Sequence, residues 1–126
     1  MNLEYTLPLR RGPRGKTFRV EPVLRQQLRP PHTSRILALS HKLEDLLRSG
    51  VVKDYADLAL LGHLSASRVS QIMLLLYLAP AIQEHVLFMD AAEARVITEE
   101  ALRTIAREAR WDRQTVLFES LLRDGR

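Results

Sequence analysis

The sequence predicts an all-α protein, a small helical bundle containing a helix-turn-helix, with an N-terminal β-hairpin or basic arm attached. Three features carry that expectation. From Thr33 onward, apolar residues recur with the 3.6-residue period of a helix. Capping residues and helix-ending glycine or proline punctuate those runs at short intervals. Strand-like alternation is confined to the first twenty residues.

Two segments follow from this division. Residues 1–32 form a basic extension, and residues 33–126 form the helical domain, with the helix-turn-helix at about 54–78. In the extension, Leu3-Glu4-Tyr5-Thr6-Leu7 alternates, as do Phe18 and Val20, around the turn-rich Arg10-Arg11-Gly12-Pro13-Arg14-Gly15-Lys16. A β-hairpin with a cationic loop fits that pattern; a flexible basic arm fits it as well, because an isolated hairpin is marginal in water. Arg29-Pro30-Pro31-His32 then serves as a stiff connector.

In the helical part, Thr33 or Ser34 can cap a helix that buries Ile36, Leu37, Leu39, Leu43, Leu46 and Leu47 and stops at Gly50. Asp54 can cap a short second helix with Leu58, Ala59 and Leu61 facing inward, ended by Gly62-His63-Leu64. Ser65 caps a third, running to about Leu78. Pro80 suits the first turn of a fourth, roughly 80–89. Thr98, followed by Glu99 and Glu100, opens a fifth to about Ala109, its acids favourably near the helix N-terminus. Asp112 caps the last, to about Arg123.

Composition bounds the class. The chain has 126 residues, 46% of them hydrophobic, enough for one domain with a real core. Cysteine is absent, which rules out disulfides and thiolate metal sites. No secretory signal pattern is present, and the apolar run Ile72 to Ile82 is too short for a membrane span and is broken by a proline. A cytoplasmic protein without membrane partners is expected. Net charge is +4 and unevenly spread: +6 over residues 1–35, zero over 36–80 and −2 over 81–126. The front of the chain can therefore attract a polyanion.

The stretch Leu64-Ser65-Ala66-Ser67-Arg68-Val69-Ser70-Gln71-Ile72 carries the functional expectation. Two short helices joined by three or four residues describe a helix-turn-helix. Ala59 is small where the second helix crosses it, Val69 and Ile72 pack back onto Leu58 and Leu61, and Leu64 plugs the turn. Ser65, Ala66, Ser67, Arg68, Ser70 and Gln71 are left outside, short, polar and nearly free of acid. Such a face can sink into a major groove about 12 Å wide. Ser65 and the helix's first amides suit a phosphate oxygen. Ser67 and Ser70 can bond phosphate or base edges, Gln71 can pair with adenine, and Arg68 can reach guanine or the backbone. Arg10, Arg11, Arg14 and Lys16 would add backbone or minor-groove contacts.

These residues also resemble a known family. Leu58-Ala59, then Leu64 to Ile72, then Leu75-Leu76-Tyr77-Leu78-Ala79-Pro80-Ala81-Ile82-Gln83-Glu84, is similar to the ParB/KorB-type helix-turn-helix domain over about residues 36–90. The second half of the match, of the form LL-x-L-x-P-x-I-Q-E, is its more specific part. The pattern is also similar, more loosely, to small ParB-like modules associated with serine site-specific recombinases. The resemblance implies sequence-specific binding of double-stranded DNA, by a regulator or a recombination or partition accessory of a mobile element. Two departures stand out. The family places glycine directly before the residue corresponding to Leu64, whereas here that position is His63 and glycine comes one earlier. Residues 1–32 are too short for the family's nucleotide-binding domain, so no nucleotide-driven clamp is implied.

No enzyme is expected. Ser65, Ser67 and Ser70 have no base placed by sequence. His32, His41, His63 and His85 lack metal-site spacing, so neither metal nor cofactor is expected. The last helix carries an apolar face of Val116, Leu117, Phe118 and Leu121, with Trp111 at its start; it can pack on the domain or form a homodimer. Two alternatives to a sequence-specific reader stay open: an adaptor binding a protein such as a recombinase, and a non-specific architectural DNA binder.

Overall fold

The computed structural model describes residues 29–125, and within them the chain is all α-helical. Among the described residues seven α-helices follow one another: α1 His32–Arg48, α2 Tyr55–Gly62, α3 Ala66–Leu74, α4 Pro80–Phe88, α5 Ala91–Ala94, α6 Glu99–Ala106 and α7 Trp111–Asp124. A 3₁₀ turn, Leu75–Tyr77, extends α3. The expected hairpin, with Arg10, Arg11, Arg14 and Lys16, lies outside the described residues.

α1 is the spine, and its 17 residues make it roughly 25 Å long. It packs on α3, on the 3₁₀ turn and on α4. Its start differs from the sequence expectation. Pro31 is the N-cap residue, with no side-chain cap, and Thr33 and Ser34 lie buried inside the helix. The Ser34 hydroxyl instead donates to the Val86 carbonyl of α4 at 2.6 Å. A tie between helices has taken the hydroxyl that a cap would have used. At the other end Gly50 is left-handed, at φ 81°.

Two apolar clusters lie along this spine. Leu43, Val52, Leu58, Val69, Ile72 and Met73 join α1 to α2 and α3. Leu37, Leu75, Leu78, Ile82, Val86, Met89, Ile97, Leu102, Ile105 and Phe118, with two alanines, gather α4, α6 and α7 around its other half. Ile36 packs against both. Leu61, expected to face inward, is 57% exposed. α2 is short, so Leu58 alone is fully buried on it and Leu61 falls on the outer side.

The ends of the later helices follow from local chemistry. Pro80 sits at the first position of α4, preceded by extended Leu78 and Ala79, as a residue before proline prefers. Asp90 accepts from the Glu93 amide at 2.9 Å and so caps α5, a helix that the periodicity did not predict. Thr98 caps α6 as expected, but α6 ends at Ala106. α7 begins at Trp111 with Arg110 as N-cap residue, so Asp112 sits in the first turn and pairs with Arg110 rather than capping. Fully buried Gln114 fixes that start: its Oε1 accepts from the Ala79 amide at 2.7 Å, and its Nε2 donates to the Tyr77 and Glu108 carbonyls. Among the described residues no single helix is long and apolar enough to cross a membrane.

Candidate nucleic-acid interface

The candidate face is built by α2, α3 and the three residues between them. Asp54 caps α2 by accepting from the Asp57 amide at 2.9 Å. The helix then stops at His63, which takes a left-handed conformation at φ 53° and ψ 43°. The His63 amide reaches the Leu60 carbonyl, and the Leu64 amide reaches the Ala59 carbonyl at 2.9 Å. That pair of bonds is a Schellman turn, whose left-handed position is usually glycine. Here glycine falls one residue too early to serve. Leu64 folds back onto the cluster around Leu58, and the chain leaves α2 and α3 bent by 107°.

Ser65 starts α3 by accepting from the Arg68 amide at 3.0 Å. A serine that accepts keeps its own hydroxyl proton to donate outward. Val69, Ile72 and Met73 are buried, and Val69 and Ile72 share a cluster with Leu58. Ser65, Ala66, Ser67, Ser70 and Gln71 are exposed, and Arg68 is half-buried. Five of the six residues singled out in the sequence are therefore exposed together at the start of one helix, and the sixth, Arg68, is half-buried against α6 rather than free on the outer face. By helix geometry the first amides of α3 have no intrahelical carbonyl and point out of its N-terminus.

Arg68 has an internal partner. Its Nη2 donates to Glu99 Oε1 at 2.8 Å, and its Nη1 donates to Glu99 Oε2 and to Gln71 Oε1, the latter at 3.1 Å. Glu99, on α6, also accepts from Arg103, and His32 lies 3.9 Å from its other oxygen. The carboxylate side chain is 12% exposed, so water screens this pairing weakly. The Arg68 hydrogen bonds hold the Glu99 carboxyl below the usual carboxylate range against the effect of burial, helped by the charges of Arg68, Arg103 and His32. The same bonds push the Arg68 guanidinium up. One carboxylate faces two guanidiniums, so the cluster keeps a net positive charge at neutral pH.

Sequence reasoning placed Glu99 at a helix start, where it is, and gave it no part in the face. Nothing local links positions 68 and 99; the fold of α6 against α3 brings them together. Two other histidines have neighbours of their own, His41 with Gln83 and His85 with Glu93, each at 2.6 Å. Among the described residues no group of three or more His, Asp or Glu is arranged to hold a metal ion. A groove of about 430 Å³ between α1, α2 and the end of α3 is lined by Leu47, Tyr55, Met73 and Tyr77, and its charged members Glu44 and Arg48 pair with each other at 3.2 Å.

Fold and surface thus define a small all-α domain that presents a short polar helix face on an apolar core. The chain matches no protein-family model, no curated protein and no solved structure.

Proposed function

We propose that this domain binds double-stranded DNA in a sequence-specific manner, with α2 and α3 forming a helix-turn-helix and α3 lying in the major groove. The observation that carries this proposal is the exposed face at the start of α3: four short side chains, one glutamine and no acid, on a helix bent 107° from α2. Helix pairs of that kind cross at about 90–120°. Short side chains let the helix axis approach the base edges. Ser65 and the α3 amides would take a phosphate oxygen, Ser67 and Ser70 phosphate or base edges, and Gln71 a base. Arg68, clamped by Glu99, would meet DNA through its remaining donors. The basic residues Arg10, Arg11, Arg14 and Lys16 would strengthen binding through counterion release. A role as a regulator or recombination accessory of a mobile element rests on the ParB-like sequence pattern.

A second reading, as an adaptor for a protein partner or a second copy of the chain, is favoured by Trp111, Val116 and Leu117, which stay 56%, 62% and 44% exposed on α7. Selection from a random duplex library near physiological salt separates the two. The expected result is an enriched motif that a Ser70→Ala/Gln71→Ala variant loses or relaxes, and a palindromic motif would imply a dimer. Retention without a motif would leave an architectural binder. Absence of retention would favour the adaptor.

A further inference from the structure

Glu99 stands outside α2 and α3, yet it holds the one long cationic side chain of the candidate face. Its own position is fixed from several sides. Thr98 caps α6 by accepting from the Ala101 amide, Arg103 grips the carboxylate one turn on, and Leu102 and Ile105 anchor the helix in the core. From that anchor the carboxylate takes Arg68 in a two-pronged grip, and Arg68 passes the constraint to Gln71. Chemistry settles how Gln71 is turned. A guanidinium has donors only, so the amide atom facing it has to be the oxygen. Its NH₂ is then the group left to donate elsewhere.

Resting on the DNA-binding proposal above, we propose that Glu99 is a specificity-determining positioning residue: it locks Arg68, and through it Gln71, so that Gln71 presents a donor to the groove. The base edge that suits a donor is guanine, whose N7 and O6 both accept. A glutamine free to use both its oxygen and its nitrogen would instead pair with adenine. The Glu99 clamp therefore shifts α3 from adenine toward guanine at the base pair facing Gln71. It also keeps Arg68 from swinging freely onto phosphate, where it would add affinity without selectivity.

The test is duplex-library selection with wild type, Glu99→Gln and Arg110→Ala, each with its thermal midpoint measured. Arg110 pairs with Asp112 and bonds neither Glu99 nor the α3 residues, so Arg110→Ala controls for loss of an ion pair elsewhere in the fold. Wild type is expected to favour guanine about tenfold at one position. Glu99→Gln should lose most of that preference, with adenine rising, while its other positions hold; Arg110→Ala should keep the whole motif. Arg68→Lys provides a second variant should Glu99→Gln fold poorly. It keeps the charge but cannot grip Glu99 with two prongs and reach Gln71 as well, so the same position should loosen. An unchanged motif in folded Glu99→Gln and Arg68→Lys overturns the proposal, as does an equal loss at every position. A wild type that enriches no motif overturns the underlying DNA-reading proposal with it.

Discussion

The two apolar clusters along α1 are held in different ways. The cluster beneath α2 and α3 is built of aliphatic side chains and Met73, and it fixes the helix pair by shape. The cluster beneath α4, α6 and α7 is threaded by directional bonds: Ser34 to the Val86 carbonyl, and Gln114 to the backbone of Tyr77, Ala79 and Glu108. The Glu99–Arg68 bridge spans the two halves. Apolar packing tolerates a neighbour of similar volume, whereas a buried hydrogen bond demands one donor or acceptor in one place. The helix pair is thus the forgiving half of the molecule, and the scaffold that positions Glu99 against it is the exacting half.

One substitution made in both halves sharpens that contrast. Gln114→Met keeps the side chain's length but leaves the Ala79 amide and two carbonyls without their partner. A loss of about 3 kcal/mol is expected, measured by urea denaturation. Leu58→Met, fully buried in the other cluster, is expected to cost below about 1.5 kcal/mol. Equal losses would mean that the two halves are held in the same way. At the turn, His63→Gly should raise stability by less than about 1 kcal/mol, since glycine takes the left-handed position freely while its looser unfolded chain offsets part of the gain. A destabilised His63→Gly variant would show that the imidazole makes a contact worth more than the strain.

The bridge between the halves should show in acid. Glu99 has its pKa depressed by folding, so its contribution is present at neutral pH and is lost as pH falls below about 4.5, the ordinary glutamate value, through the folded one. Wild type should therefore exceed Glu99→Gln in thermal midpoint near pH 7, and the gap should narrow toward pH 3. A gap independent of pH would mean that the carboxylate charge does not matter there.

Much of this architecture was legible from local signals. Asp54, Ser65, Pro80 and Thr98 each start a helix where capping chemistry puts them. The exposure of Ser65, Ala66, Ser67, Ser70 and Gln71 followed from helical period; the half-burial of Arg68 did not. Elsewhere tertiary bonds overrode local ones. Ser34 carries a cap-competent hydroxyl that bonds Val86, 52 residues away, and Gln114 rather than Asp112 pins the start of α7. α5 had a readable signal, Asp90 three residues before Glu93, but at Ala91–Ala94 it is too short to show a period. The Arg68–Glu99 pair had none, because it spans 31 residues and exists through the packing of α6 on α3.

In the proposed function the outer face of α3 meets duplex DNA. Its most direct test is amide chemical-shift mapping of the ¹⁵N-labelled protein, titrated with a mixed-sequence duplex at low salt, where non-specific binding presents the same face. Perturbations concentrated on residues 65–71, saturating with added duplex and reversed by salt, are the expected result. Perturbations centred on Trp111, Val116 and Leu117, or none at all, would contradict it.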